Sequence, residues 1–209
     1  MRATIATPLL LPLVVLLAGC SQGHDPSPAG PSAPGGPTLV TLVNVDTSVN
    51  VTAGYTGTWN WPGQSVTMPP GTGFANIRFH WYTRDDKPAA FGTLYILDRE
   101  YLGLPVDLGP TTPGFVTRSE RIVDEAYVFP ASVTLKGGTK YWFYGDKQGS
   151  FVGSFDVDTY PAGDLYVTGY HTYPFHKVGA SGRMVNGTYI PPPQGVWVDA
   201  NFRLQGSAQ

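Results

Sequence analysis

Residues 195–206 read GVWVDANFRLQG, and this stretch decides the fold class. Small or apolar side chains occupy every second position, and mostly polar ones occupy the positions between them. The first set is Val196, Val198, Ala200, Phe202 and Leu204, and the second is Trp197, Asp199, Asn201 and Arg203. Because side chains alternate between the two faces of a β-strand, this period of two predicts a strand with the first set turned inward.

A second stretch, residues 74–83, has the same period and predicts another half-buried strand. Its two faces are Ala75, Ile77, Phe79 and Trp81 on one side, and Asn76, Arg78, His80 and Tyr82 on the other. Further strands are predicted at 91–97, 131–135, 140–145, 150–157 and 164–171, with an earlier pair within 41–60. The chain has 26 glycines and 20 prolines, which separate these runs. Short strands divided by turn residues indicate an all-β fold, an antiparallel β-sandwich of jelly-roll-like form with little or no helix after the leader.

Residues 115–129 fit two interpretations, because they contain neither glycine nor proline. Thr117 and Glu120 have the spacing of a helix capping box, and the apolar residues that follow have helical spacing. Alternation from Ile122 onward instead predicts a strand over about 122–129, and we favour the strand.

The first twenty residues have the layout of a signal peptide. Arg2 is the only charge, and residues 9–18 are almost wholly apolar. The apolar run is too short for a spanning helix, which needs about 20 apolar residues. The alternative is an ordinary secretory leader in which a cysteine follows Ala-Gly by chance.

The run Leu17-Ala18-Gly19-Cys20 resembles the lipobox of bacterial lipoproteins. That resemblance implies cleavage before Cys20 and a diacylglycerol on its thiol. Because Ser21 follows where an aspartate would signal retention in the inner membrane, the resemblance also implies an outer-membrane, lipid-anchored location in the cell envelope. Cys20 is the only cysteine, so the chain has no intramolecular disulfide.

The sequence divides into a leader at 1–19, a tether at 20–38 and a sandwich domain at 39–209. Residues 21–38 read SQGHDPSPAGPSAPGGPT and contain no large apolar side chain. Such a segment does not bury enough apolar surface to offset the entropy of ordering it. We therefore expect it to hold the domain away from the lipid surface.

Three motifs in the domain resemble a family of jelly-roll domains of unknown function, found on bacterial surface and carbohydrate-active proteins. They are Asn76-Ile-Arg-Phe-His-Trp81, Phe129-Pro-Ala-Ser-Val-Thr-Leu-Lys-Gly-Gly-Thr-Lys-Tyr-Trp-Phe143, and Gly195-Val-Trp-Val-Asp-Ala-Asn-Phe202. The likeness covers roughly two thirds of the chain and departs from the family's pattern at 88–113, where the loops are longer. It implies a sandwich fold and no particular activity.

Few residues suggest metal or catalytic chemistry. Asp156, Asp158 and Asp164 lie close together in sequence and are candidate ligands for a structural calcium ion, which prefers clustered oxygen ligands. The alternative is that these aspartates cap their own turns. The close carboxylate pairs, Asp98 with Glu100 and Asp124 with Glu125, fit no hydrolase pattern, and we predict no enzyme and no required cofactor.

Aromatic residues are the strongest indication of a ligand site. Trp59 and Trp61 lie two apart, so an extended segment would turn both to one side. Tyr160, Tyr170 and Tyr173 belong to a stretch rich in glycine and proline. Flat rings beside polar groups suit sugar rings, and loops at the ends of a sandwich commonly carry binding sites. The alternative is that these rings fill the core or its rim.

Together these features predict a lipid-anchored envelope protein that displays a non-catalytic binding module, with carbohydrate as the expected ligand. A structural or assembly lipoprotein that binds another envelope protein is the alternative, and a glycan-active enzyme is the third reading. Lysine and arginine total 13 against 15 aspartates and glutamates, and the basic residues form no run, so nucleic acid is not an expected partner.

Overall fold

The computed structural model describes residues 36–46, 53–55, 60–82, 91–154, 159–178, 183–185, 188–190 and 199–209. These residues belong to a compact unit that extends from Gly36 to Gln209. The strands are β1 (Val40–Val45), β2 (Ala53–Tyr55), β3 (Trp61–Thr67), β4 (Gly73–Trp81), β5 (Leu94–Leu97), β6 (Phe115–Arg118), β7 (Arg121–Val123), β8 (Ala126–Val128), β9 (Leu135–Lys136), β10 (Lys140–Gly145), β11 (Val152–Ser154), β12 (Leu165–Thr168), β13 (His176–Lys177), β14 (Arg183–Val185), β15 (Thr188–Ile190) and β16 (Phe202–Ala208). One short 3-10 turn, Pro105–Asp107, is the only helical element described, and no described helix has the length and apolarity to cross a membrane.

Most of these strands form two antiparallel sheets that pack face to face. The first sheet has the order β1-β16-β4-β8-β7, and β9 pairs with the opposite end of β4. The second sheet has the order β13-β12-β3-β10-β5-β6. Two smaller sheets pair β2 with β11 and β14 with β15. The prediction of an all-β sandwich is confirmed.

Aromatic rings dominate the space between the two large sheets. Phe79 of β4 stacks on Phe202 of β16, with ring centroids 5.2 Å apart, and on Phe143 of β10 at 4.6 Å. Trp81 also contacts Phe79, at 4.8 Å. Because Phe143 belongs to the second sheet, this stack joins the sheets directly. Burying one such side chain contributes about 1.5–3 kcal/mol.

The second sheet is covered on its outer face as well. Along β10, Tyr141 and Phe143 belong to the core between the sheets, whereas Trp142 and Tyr144 belong to a separate outer cluster. The buried members of this outer cluster are Trp61, Tyr95, Leu97, Leu108, Tyr144, Tyr166 and Phe175. Leu108 and Phe175 come from loops, so residues 98–114 and 169–175 form a third layer over this sheet. A strand that is buried on both faces has apolar residues at consecutive positions, which explains the sequence LYIL of β5.

A β-bulge in β4 changes one predicted face. Asn76 and Ile77 together stand opposite Gly206 of β16, so β4 has one extra residue at this point. Asn76 has a φ of 53°, in the left-handed region that asparagine tolerates better than most residues. The extra residue adds Phe74, which the predicted set lacked, to the core cluster with Ile77, while Ala75 is buried outside that cluster. The other predicted inward residues of this strand are buried.

Residues 115–129 are strands and not a helix, but the predicted single strand over 122–129 is wrong. β7 and β8 form a hairpin in which Val123 pairs with Ala126. Asp124 and Glu125 form its two-residue turn, with φ values of 48° and 64°. Positive φ at both positions is the signature of a type I′ turn, whose twist matches that of the flanking strands. Asp124 suits the first position of this turn, but Glu125 occupies the second, where glycine is usual, so the sequence did not indicate the hairpin.

The sequence pattern did not reveal β3, a central strand of the second sheet. Its first residues are Trp61, Pro62 and Gly63, and proline followed by glycine favours a turn. β3 nevertheless pairs with β10 on one side and with β12 on the other. The pairing with β10 begins at Gly63, so Pro62, which has no N–H, lies outside that run. Burial against both neighbouring layers overrides the local turn preference.

Other strands differ from their predicted bounds. β10 matches its prediction, whereas β9 keeps only the end of the predicted 131–135 strand, because Val133 N donates to Pro130 O in a turn. β12 ends at Thr168, where the chain turns. β16 begins at Phe202 and buries its predicted inward residues, while residues 191–198 and 155–158 lie outside the described residues.

We expect Gly63→Ala to destabilise the protein, because an added methyl group would overlap the ring of Tyr144 in the outer cluster. Overpacking of a filled core costs about 1–3 kcal/mol. Gly169→Ala is the matched control, since nothing lies within 4 Å of the corresponding Cβ position. Chemical denaturation measures both variants, and an unchanged free energy of unfolding for Gly63→Ala would contradict this packing.

Candidate functional site

The turn between β12 and β13 is held in place by a buried threonine. Thr168 Oγ1 lies 3.1 Å from Tyr170 O and 3.0 Å from Tyr173 O, and is the donor to these carbonyl oxygens. Tyr173 N donates to Tyr170 O at 3.0 Å, which closes the turn. The turn thus has a defined backbone although its side chains face solvent.

Tyr170 and Tyr173 project from this turn into solvent. Their side chains are 63% and 59% exposed, whereas Tyr127, Tyr144 and Tyr166 are fully buried. The two exposed rings contact each other edge to face, with centroids 5.3 Å apart and planes at 80°. Edge-to-face contact is a preferred geometry of aromatic pairs. The pair therefore presents two ring surfaces in a fixed relation.

A neighbouring loop adds two more exposed apolar side chains. Phe175 N donates to Gly103 O at 2.9 Å, which brings the turn after β12 against the loop after β5. In that loop Leu102 is 52% exposed and Val106 is 63% exposed. We call Tyr170, Tyr173, Leu102 and Val106 the aromatic end.

The aromatic end holds four of the six exposed large apolar residues in the described part of the chain. The other two, Val40 and Ile122, lie in the first sheet. Apolar side chains that cluster on a surface mark interaction sites more often than single ones do. No periodicity in the sequence indicated Leu102 and Val106, since a loop has none.

Trp61 lies beneath the aromatic end and not on it. The side chain is buried in the outer cluster, and its Nε1 donates to Asp146 O at 3.2 Å. Its ring lies 6.2 Å from that of His171, which belongs to the same turn as the exposed tyrosines. Trp61 therefore supports the turn from below. Trp59 lies outside the described residues.

Tyr160 differs from the exposed pair Tyr170 and Tyr173 because it packs against the core. Its ring packs edge to face on Phe202, with centroids 5.5 Å apart. Its hydroxyl accepts from Thr67 N at 3.1 Å and donates to Thr67 O at 3.2 Å. Burial raises the pKa of Tyr160 above its ordinary value, so the hydroxyl stays protonated. Tyr160 is not part of the candidate site, because both its ring and its hydroxyl already have partners.

Asp164, the described member of the predicted calcium group, is engaged by two lysines. Lys177 Nζ lies 2.6 Å from Asp164 Oδ1, and Lys140 Nζ lies 3.7 Å from Asp164 Oδ2. Asp156 and Asp158 lie outside the described residues, so the calcium site stays a prediction. Within the described ranges, no three His, Cys, Asp or Glu side chains group closely enough to hold a metal ion.

A chain of hydrogen bonds connects the outer cluster to its loop cover. Trp142 Nε1 donates to the Tyr166 hydroxyl at 3.2 Å, and that hydroxyl donates to Glu100 Oε1 at 2.8 Å. Burial raises the pKa of Tyr166, which keeps its proton in this bond. Tyr101 N donates to the Tyr144 hydroxyl at 3.2 Å in the same region. These bonds attach the loop that carries Leu102 and Val106 to the sheet.

The two predicted carboxylate pairs lie in different parts of the fold and do not share a site. Asp98 lies 3.1 Å from Arg99 Nε in an exposed ion pair, and Glu100 accepts from Tyr166. Asp124 and Glu125 form the turn between β7 and β8 in the other sheet. The candidate site is consequently a surface of exposed rings and aliphatic side chains on a fixed backbone.

The chain matches no known protein family. No curated protein and no solved structure matches it either.

We expect Asp164→Asn to lower the free energy of unfolding by about 1 kcal/mol, near the upper limit for surface ion pairs, because two lysines lose one shared carboxylate. Asp98→Asn is the matched control, since its carboxylate is more exposed and has one partner, and we expect a smaller change. Thermal unfolding with added calcium and with a chelator separates the two roles of Asp164. Stabilisation by calcium that disappears in Asp164→Asn would show that this carboxylate is a calcium ligand.

Proposed function

We propose that this chain is a lipid-anchored cell-envelope protein whose sandwich is a non-catalytic module that binds carbohydrate at the aromatic end. The observation that carries the proposal is the solvent-facing pair Tyr170 and Tyr173, which stands out because most rings of the described residues are buried. An anchor, a tether and an exposed binding surface are together suited to display at a membrane.

The chemistry of the aromatic end suits a sugar ring. Tyrosine offers a flat face with negative charge density and a hydroxyl at its edge. The C–H groups on one face of a sugar pack against such a ring, while its hydroxyls pair with polar groups nearby. His171 lies in the same turn as the two tyrosines, is exposed, and adds a polar ring to this turn. Ligand sites commonly combine aromatic walls with a few placed polar groups.

A binding role is also favoured over catalysis by the state of the carboxylates. General acid–base chemistry on a glycosidic bond uses two carboxylates that face one substrate. Of the close pairs, one has its members bound to Arg99 and Tyr166, and the other occupies a hairpin turn. Neither pair lies among the four side chains of the aromatic end.

The anchor is supported by the sequence from Leu17 to Cys20. Each CH₂ group buried in a bilayer contributes about 0.8 kcal/mol, and one acyl chain gives only marginal binding. The resemblance to lipoproteins implies two or three chains on Cys20, which is sufficient for stable attachment. Because Ser21 follows, the outer membrane is the proposed destination.

We expect the purified chain to bind a subset of glycans on an array and the double variant Tyr170→Ala/Tyr173→Ala to bind them about 5- to 150-fold more weakly, since two ring contacts of about 0.5–1.5 kcal/mol each sum to about 1–3 kcal/mol. The matched control is Val40→Ala/Ile122→Ala, which removes two exposed apolar side chains from the other sheet.

The proposal of carbohydrate binding would be contradicted by an array without signal, or by equal losses in the two double variants. Crosslinking in the native envelope then addresses the alternative, a structural lipoprotein. A single stoichiometric protein partner, lost with Tyr170→Ala/Tyr173→Ala, would assign the aromatic end to that partner.

We expect a radiolabelled fatty acid to be incorporated into the wild-type chain in a bacterial host and not into Cys20→Ser. Cys20 is the only cysteine, so no other thiol accepts the lipid. Fractionation of the same cells follows the protein from the membrane to the soluble fraction. Label that persists in Cys20→Ser would refute the anchor.

A further inference from the structure

The outer face of the first sheet carries arginines in register. Arg78 of β4 pairs with Val128 of β8, and Val128 pairs with Arg121 of β7. Directly paired residues lie on the same face of a sheet, so Arg78 and Arg121 project from one side with Val128 between them. Two strand spacings separate their backbones, which is about 10 Å. Because Ile77 and Phe79 face the core, this side is the outer one.

A third arginine extends the same face. Arg203 of β16 pairs with His80 of β4, two residues along from the pair of Gln205 and Arg78. A shift of two residues keeps a side chain on the same face. We call Arg78, Arg121 and Arg203 the arginine face. It is basic although the whole chain has a formal net charge of −2.

Carboxylates lie beside the arginine face, Glu120 and Asp46 near the arginines and Glu125 next to His80. Glu120 Oε2 lies 3.5 Å from Arg121 Nη1, in a pair whose arginine side chain is 63% exposed. Asp46 follows β1 at the far side of this face. There Asp46 and Arg203 both lie close enough to Tyr82 to influence the pKa of its hydroxyl. Arg78, between them, forms no ion pair with the described residues. An exposed ion pair such as that of Arg121 leaves most of the positive charge available to an anion.

The groove that holds Arg78 and Arg121 is also where the folded unit begins. It has a volume of about 530 Å³, and its lining includes Gly36, Pro37, Leu39 and Glu120 beside the two arginines. Gly36 is the first residue of the compact unit and follows Cys20 by 16 positions. For a coil of this length the composition predicts an end-to-end distance of about 22 Å. A tether of this length spaces the domain from a lipid on Cys20 by no more than a short distance, and so leaves this face within reach of the bilayer surface.

We infer that the arginine face docks on a bilayer surface through anionic phosphate headgroups, with Arg78 and Arg121 as the headgroup-binding residues. The inference rests on the proposed anchor at Cys20. Guanidinium groups form paired hydrogen bonds with phosphate oxygens, which suits this ligand. The aromatic end lies over the outer face of the second sheet, on the opposite side of the sandwich. Docking through the first sheet thus orients the aromatic end away from the membrane.

The test uses unacylated protein, so that the anchor does not contribute to binding. The chain from residue 20 to Gln209 with Cys20→Ser retains the whole compact unit. Cosedimentation compares vesicles of phosphatidylcholine alone with vesicles in which phosphatidylglycerol replaces part of it. We expect binding to the anionic vesicles only, and weaker binding as salt is added, because salt screens exposed charges over about 8 Å at physiological ionic strength.

Arg121→Gln and Arg99→Gln form a matched pair of variants. Both arginine side chains are 63% exposed, and each pairs with the acidic residue that precedes it. Arg99 lies in the loop after β5, on the side of the second sheet. We expect Arg121→Gln to weaken binding to anionic vesicles about fivefold, in line with the contribution of one basic residue near an anionic surface, and Arg99→Gln to leave it nearly unchanged. Arg78→Gln/Arg121→Gln should weaken binding further, and an unchanged melting temperature confirms that each variant is folded.

Orientation is measured with a single dye. In the Cys20→Ser background no other thiol exists, so Thr41→Cys and Val106→Cys each accept one label. Thr41 pairs with Gln205 on the arginine face, and Val106 belongs to the aromatic end. We expect lipids that carry a quencher in the headgroup to quench the dye at Thr41→Cys and not at Val106→Cys.

Several results would overturn the inference. These are equal binding to neutral and anionic vesicles, equal losses in Arg121→Gln and Arg99→Gln, or stronger quenching at Val106→Cys. Binding of inorganic phosphate that depends on Arg78, without preference for anionic vesicles, would assign the groove to a soluble anion instead. The variant Tyr170→Ala/Tyr173→Ala should still bind anionic vesicles, so failure of carbohydrate binding is distinguishable from failure of membrane docking.

Discussion

The contact between Phe79 and Phe143 is the interaction on which the rest of the structure depends. The chain has one cysteine and so no internal disulfide, and its described part has no metal cluster, so packing must hold the two sheets together. Phe79 stacks on Phe202 within its own sheet and on Phe143 in the other, which couples three strands through one ring. Large-to-small changes at such a residue cost about 3–5 kcal/mol, a large fraction of the stability of a domain.

The second sheet is buried on both faces, and this determines where the candidate site lies. Its outer cluster needs a cover, and the loops 98–114 and 169–175 provide it. These loops point their buried residues, such as Leu108 and Phe175, at the sheet. Their opposite side must then face solvent, and there Tyr170, Tyr173, Leu102 and Val106 are exposed. The aromatic end is therefore a consequence of the third layer and not an independent feature.

The two sides of the sandwich differ in chemistry because, among the described residues, only the second sheet has this cover. The outer face of the first sheet keeps polar and charged side chains in register, among them Arg78, Arg203 and Gln205. The loops that cover the second sheet expose apolar side chains to solvent. A domain with one basic side and one apolar side has a defined orientation in any environment that distinguishes charge from hydrophobic surface, such as the surface of a membrane.

Much of this protein was determined by local sequence. Alternation in residues 74–83 and 195–206 predicted strands and nearly all of the buried apolar residues that the structure describes there, because a period of two needs only neighbouring positions. The apolar leader and the run ending at Cys20, which predict an anchor, are equally local.

Other features depended on partners distant in the chain. β3 is a strand despite Trp61-Pro62-Gly63 because β10 and β12 pair with it on both sides. The bulge at Asn76 appears only in the register against β16, and the turn at Asp124 and Glu125 only in the pairing of β7 with β8. Among the predicted ligand residues, Trp61 is buried and Tyr160 packs half-buried against the core, whereas Tyr170 and Tyr173 are exposed, although no local pattern distinguishes these rings. Whether a ring is buried depends on which layer covers it, and that is decided by tertiary packing.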